Sequence, residues 1–115
     1  MQYLMLIYVD EKKFSQMAPA DMSKMLGEYM ELNKELKASG KLLGGNRLQP
    51  TATAATVRVR EGKPQSTDGP FAETREQLGG YFLIEAQSLE EAKQIAARIP
   101  GARHGSIEVR PVNPM

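Results

Sequence analysis

The chain of 115 residues contains no cysteine and no tryptophan, and its single histidine is His104. Without thiols there is no disulfide, no thiol nucleophile and no thiolate metal centre, a pattern that fits a reducing compartment. One imidazole alone cannot assemble the usual zinc or iron ligand set, and no group of carboxylates has calcium-loop spacing, so neither a metal nor a cofactor is expected. A Gly-x-Ser-x-Gly nucleophile elbow is missing as well. Gly44-Gly45 is followed by no helix and matches neither glycine motif for phosphate, which removes a nucleotide loop. Charge of one sign is also scarce: 15 basic and 14 acidic residues leave a net charge of +1, with no run of five like charges. Nothing in that balance attracts nucleic acid or an anionic membrane. The stretch Thr56-Val57-Arg58-Val59-Arg60 has cations without the aromatic residues that an RNA-binding sheet would set beside them. The N-terminal apolar run stops at Asp10-Glu11-Lys12-Lys13 and follows no basic region, so it reads as neither signal peptide nor membrane span, and a cytoplasmic protein is expected.

What is present is ordinary for a globular domain: 41% hydrophobic and 25% charged residues. At this length one core is the limit, so residues 1–115 form a single domain. Tyr3 to Val9 is continuously apolar and rich in β formers, as a strand buried on both faces would be. Pro19 suits the first helical position, and Met22, Met25, Leu26, Tyr29, Leu32 and Leu36 recur at helical spacing up to a stop at Gly40. A strand broken by Gly44-Gly45 follows. Then Val57 and Val59 alternate with Arg58 and Arg60 in another strand, and Glu61-Gly62-Lys63-Pro64 turns the chain back into a short returning one. Tyr81-Phe82-Leu83-Ile84 lacks alternation and reads as a second central strand. Ser88-Leu89-Glu90-Glu91 is a capping box that opens a helix ended by Pro100-Gly101. Ser106 to Val112 closes the chain, with Ile107 and Val109 on one face and Glu108 and Arg110 on the other. The resulting order β-α-β-β-β-α-β predicts an α+β, ferredoxin-like sandwich with two helices on one face of an antiparallel sheet.

The densest stretch is Thr67 to Ala86. Asp68 is suited to open a turn by accepting backbone N–H groups, Gly69 permits φ > 0, and Pro70 fixes its own φ. From Phe71 to Leu78 one turn of helix is expected before Gly79-Gly80 leads into the strand.

Asp68-Gly69-Pro70-Phe71, followed by Glu73-Thr74 and Glu76-Gln77-Leu78-Gly79-Gly80, resembles the signature of the YCII-related proteins, in the branch with the D-G-P-F motif. The resemblance extends to Tyr3-Leu4-Met5-Leu6-Ile7-Tyr8, to Leu48-Gln49-Pro50, and to Gly105-Ser106-Ile107-Glu108-Val109-Arg110-Pro111-Val112. It implies a ferredoxin-like domain that pairs with a second copy as a dimeric α+β barrel, with an activity that the family leaves unsettled. It also implies a Ser where this chain has Ala18, and an aromatic residue where it has His104. A base would not tolerate that exchange, so His104 reads as a packing group rather than a catalyst.

Two amphipathic helices cover only one face of a sheet, and strands apolar on both faces leave the other needing cover. A second copy is the economical cover, so a homodimer is expected. The cleft at its edge is the expected site for a small polar molecule, with Asp68 as the acid, base or wall. Tyr8, Arg58, Arg60, Gly69, Pro70, Phe71, Glu108 and Arg110 are the candidate ligand-binding residues. Asp68 has two open roles: a proton-transfer or ligand group, or a brace for its own turn paired with Arg58, Arg60, Arg75 or Arg110. Correspondingly, two functions stand open. One is a small enzyme doing cofactor-free acid–base chemistry of the isomerase or lyase type, and the other is a non-catalytic binder or regulatory accessory.

Overall fold

Tyr3, Met5 and Ile7 alternate with Leu4, Leu6 and Tyr8, so the two-residue period of a strand sends one apolar set to each face. In the structure, a computed structural model that describes residues 1–114, this segment is β1 (Gln2–Val9). It pairs antiparallel with β5 (Gln77–Glu85) on one side and β6 (Ser106–Pro111) on the other. β2 (Leu42–Arg47) pairs with the far edge of β5, which gives the four-stranded order β2-β5-β1-β6.

The helices α2 (Pro19–Ala38) and α3 (Leu89–Ala97) supply the core on one face. Leu32 and Leu36 of α2, Ala92, Ile95 and Ala96 of α3, and Ile99 beyond it meet Tyr3, Met5, Ile7, Phe82 and Ile84 from the two central strands. The expected α+β, ferredoxin-like class is therefore the observed one. α2 begins with Pro19 at its first turn, but Ala18 offers no side-chain cap, and the Ser15 hydroxyl donates to the Lys12 carbonyl instead. It stops at Gly40, whose φ of 74° is the left-handed value that a helix end requires. At α3 the Ser88 hydroxyl accepts the Glu91 N–H at 3.1 Å, and the Glu91 carboxylate reaches the N–H of Gln87, one residue before the usual partner. A short helix, α1 (Glu11–Ser15), was not evident in the sequence; Asp10 caps it by accepting the N–H groups of Lys12 and Lys13.

Two expectations need correction. Residues 71–76 form bends and irregular chain without a helical turn, and Gln77 and Leu78 already belong to β5. The strand ladder begins there because Gln77 and Leu78 pair with Val9 and Tyr8. The other correction concerns the strands before this loop. β3 (Ala55–Arg60) and β4 (Lys63–Asp68) are equally long and pair with each other in a separate two-stranded sheet. After β2 the chain turns at Pro50 and Thr51–Thr53 and leaves the main sheet, so this hairpin forms an arm with no substantial contact to any other element. Arg58 and Arg60 therefore lie on the arm and not on the open face of the sheet.

The open face has the residues that the register dictates. Leu4 lies opposite Leu83 and Arg110, Leu6 opposite Tyr81 and Glu108, and Tyr8 opposite Leu78 and Ser106. These apolar side chains are half-buried by their neighbours alone.

Candidate functional site

Glycines in adjacent strands let neighbouring atoms approach closely under α2. Gly45 lies opposite Phe82, and Gly80 lies opposite both Arg47 and Ile7, on the face that the helices cover. Gly79 is the extra residue where the register between β1 and β5 shifts. A side chain at these positions is blocked by tight contacts: a Cβ on Gly45 would meet the Phe82 ring at 2.6 Å, and one on Gly80 the Asn46 carbonyl at 2.9 Å. Gly45, Gly79 and Gly80 are among the residues that line, with α2, a cavity of about 500 Å³. That volume falls in the range of small-molecule sites.

Its walls are apolar, with Ile7 and Val9 from β1, Phe82 from β5, Met25 and Leu26 from α2, and Phe14 from α1. Six polar side chains interrupt them: Glu11, Ser15, Tyr29, Asn33, Asn46 and Arg47. Tyr29 stands edge-to-face against Phe82, with ring centroids 6.4 Å apart, and its hydroxyl accepts the Gly101 N–H at 3.1 Å. Burial raises its pKa above the ordinary 10.0, so the phenol stays protonated at neutral pH. One turn further along α2, Asn33 also lines the cavity, and its Oδ1 is enclosed by the protein's own atoms with no hydrogen-bond partner among the described residues. Arg47 is exposed at the mouth, its guanidinium 5.8 Å from the centroid of the Phe14 ring, and no carboxylate among the described residues lies within ion-pair distance. Glu11, also at the mouth, is already engaged, since it accepts the Thr51 N–H at 2.9 Å and the Thr51 hydroxyl at 2.6 Å.

The residues expected from the sequence lie elsewhere, in two groups. Tyr8, Glu108 and Arg110 are on the open face, where Arg110 donates to Glu108 on its own strand. Arg58, Arg60, Asp68, Gly69, Pro70 and Phe71 belong to the arm and the loop that leaves it. Gly69 has a φ of 94°, donates its N–H to the Ala54 carbonyl at 2.7 Å and accepts the Thr56 hydroxyl at 2.8 Å, so the loop is pinned to the start of β3. Asp68 is exposed, and among the described residues it accepts no backbone N–H and pairs with no arginine. Phe71 is 77% exposed. His104 is exposed rather than packed. One chain alone does not bring the two groups together.

The model of the YCII-related domain matches residues 1–115. The chain belongs to that family. An uncharacterized protein of Rhizobium meliloti (strain 1021) is 39% identical over 114 residues, a match that spans 97% of this chain and 92% of that protein. Among solved structures, the chain is similar to 5-chloro-2-hydroxyhydroquinone dehydrochlorinase (TftG) from Burkholderia phenoliruptrix AC1100, in complex with 2,5-dihydroxybenzoquinone. The TM-score is 0.52 at 13% identity, over 98% of this chain and 94% of that one. At that identity the likeness is one of fold. No helix among the described residues of this YCII-related chain is long and apolar enough to cross a membrane.

Sequence reasoning did not pick out Tyr29, Asn33 or Arg47. The signal was present in Asn33, an amide one residue from the buried stripe of α2, and in the two glycine pairs, of which Gly44-Gly45 was read as a break in a strand and Gly79-Gly80 as the lead into the next.

Proposed function

We propose that this YCII-related protein binds a small polar organic molecule in the cavity between α2 and the sheet. The cavity itself carries this reading: about 500 Å³ with mostly apolar walls and the Tyr29 and Arg47 side chains among its lining is the usual make-up of a small-molecule site. Acid–base chemistry without a cofactor is compatible with the same place, where the Tyr29 O–H can donate a proton beside the bound molecule; a non-catalytic binder would use the same contacts.

A homodimer belongs to the proposal. The chain exposes 8232 Å², against about 6,200 Å² for a compact monomer of this mass. Its radius of gyration is 16.0 Å, where about 13 Å is usual for this length. The arm and the open face account for that excess, and a two-stranded hairpin is marginal by itself. This observation favours a second reading of the site, in which pairing encloses a cleft between copies and the Asp68–Phe71 loop, characteristic of the D-G-P-F branch, borders it. Asp68 is then the proton-transfer group, with Tyr8, Arg58, Arg60, Glu108 and Arg110 around the ligand.

One experiment separates the two sites. Small organic acids and lactones are screened for thermal stabilisation of the wild type, and hits are measured again on Leu26→Trp, which fills the cavity from an exposed position on α2, and on Asp68→Asn. Loss of binding in Leu26→Trp with binding kept in Asp68→Asn supports the cavity. The reverse pattern supports the cleft and overturns the cavity.

A further inference from the structure

The short helix α1 is held in place by hydrogen bonds and not by burial. None of its residues is buried, and among the described residues it shares no substantial contact with any other helix or strand. One turn of helix is too short to persist unaided. Yet Glu11, Phe14 and Ser15 from α1 all line the cavity, so the position of this helix decides whether that wall stands. The Arg47 guanidinium, 5.8 Å from the centroid of the Phe14 ring, adds only the weak attraction of an exposed cation–π pair.

What fixes α1 is a run of hydrogen bonds that begins and ends in the loop Gly69–Thr74. The Gly69 N–H donates to the Ala54 carbonyl at 2.7 Å, and the Ala54 N–H to the Thr51 carbonyl at 3.0 Å. The N–H and the hydroxyl of Thr51 both donate to the Glu11 carboxylate, one to each oxygen. The Glu11 N–H donates in turn to Oε1 of Gln77 at 2.9 Å, and Nε2 of Gln77 donates to the Thr74 carbonyl. Within that run Glu11 is the member that belongs to α1, and its carboxylate makes the charge-assisted bonds, the stronger class. We propose that Glu11 is a positioning residue that couples the Gly69–Thr74 loop and the base of the arm to the cavity wall, so that loosening the loop frees α1 and Phe14 with it. The run is closed in the structure, so the coupling alters how often α1 opens and not where the loop lies while it is closed. Its consequence for binding rests on the cavity reading above, but the coupling belongs to the free chain and its test needs no ligand, so either can fail without the other.

Amide hydrogen exchange of the free chain, followed by NMR, tests this. Glu11→Ala should speed exchange of the Phe14, Gln16 and Met17 amides by about tenfold, the worth of one hydrogen bond to a charged group, while the amides of Met5 and Ile84 in the central strands keep their wild-type rates. Thr51→Val, which retains the N–H and loses the hydroxyl, should give a smaller rise at the same amides, and Thr51→Ser none. The deciding variant is Gly69→Ala, which strains the loop because φ is 94° there. It should speed exchange in α1, far away in sequence, and should add nothing to α1 in a chain that already has Glu11→Ala. The proposal is overturned if Gly69→Ala leaves the α1 amides at wild-type rates, if it speeds them equally with and without Glu11, or if in the wild type they already exchange as fast as in an unstructured chain. A rise that extends equally to Met5 and Ile84 in both Glu11→Ala and Thr51→Val would overturn it too, since the effect would then be global.

Discussion

The helix-covered half of the molecule and the β3–β4 arm obey opposite rules. In the first, Met5, Ile84 and Ile99 are fully buried and nearly every apolar side chain on the inner face has a partner within the chain. In the arm, Val57 and Val59 are 65% and 60% exposed, and every residue of β4 is exposed. Hydrophobic burial can stabilise the first region alone, whereas the second has only its own ladder of backbone hydrogen bonds and whatever covers it from outside. A single chain therefore holds one region whose stability is internal and one with little apolar cover of its own.

The largest effect that tests this contrast is expected at Ile84. Replacing it with Ala should destabilise the chain by about 2–5 kcal/mol in denaturant titration, since the side chain is fully enclosed between the helices and the sheet. An arm substitution of similar chemistry, Val59→Thr, should change unfolding by less than about 0.5 kcal/mol at concentrations low enough to keep chains apart. At higher concentration it should weaken self-association, seen by sedimentation. Equal costs at both positions in dilute solution would erase the distinction.

A smaller gain is expected at the start of α2. Ala18→Ser supplies the missing cap and should stabilise the chain by about 1 kcal/mol, visible as a higher denaturation midpoint with an unchanged slope. Because α2 roofs the cavity, the same variant shows whether ligand affinity follows helix stability.

Two pH effects follow from side chains of α2. Burial holds the Tyr29 phenol above its ordinary pKa of 10.0. Its contribution is complete below that value and is lost as pH rises through the higher folded value, because the unfolded chain gives up the proton first. Stability should therefore decline above pH 10, and Tyr29→Phe should remove part of that slope. The smaller effect lies at acid pH. Arg103 donates to both carboxylate oxygens of Glu28, at 2.8 and 2.7 Å. That hydrogen bonding lowers the Glu28 pKa below its ordinary 4.5. The stabilisation is present above that value and fades as pH falls through the lower folded one, so Glu28→Gln should make unfolding slightly less sensitive to acid below pH 4.5. The pair is exposed, so the change should be small.

The same contrast explains what was legible in the sequence. Periodicity reports which side chains need cover, and it placed β1, α2, β5, α3 and β6 with their faces, since in each the cover comes from the same chain. It could not show that the strand with Arg58 and Arg60 leaves the sheet, because alternating valine and arginine fit an arm as well as a sheet edge. Nor could it show that Asp68 lacks an arginine partner, which is a matter of three-dimensional reach. The cavity was hidden for a related reason. Glycines leave no side-chain pattern, and the consequence of Gly45 and Gly80 lying on adjacent strands emerges only once the register is known.

The proposed ligand site lies under α2, away from the Asp68 loop. An amide NMR spectrum of the chain, titrated with the first compound that stabilises it, tests this most directly. Shifts should concentrate at Asn33, Arg47 and Gly80, with Asp68, Gly69 and Phe71 nearly unmoved. Shifts confined to the Asp68–Phe71 loop and the open face, with the amides of Asn33 and Gly80 unchanged at saturation, would contradict it.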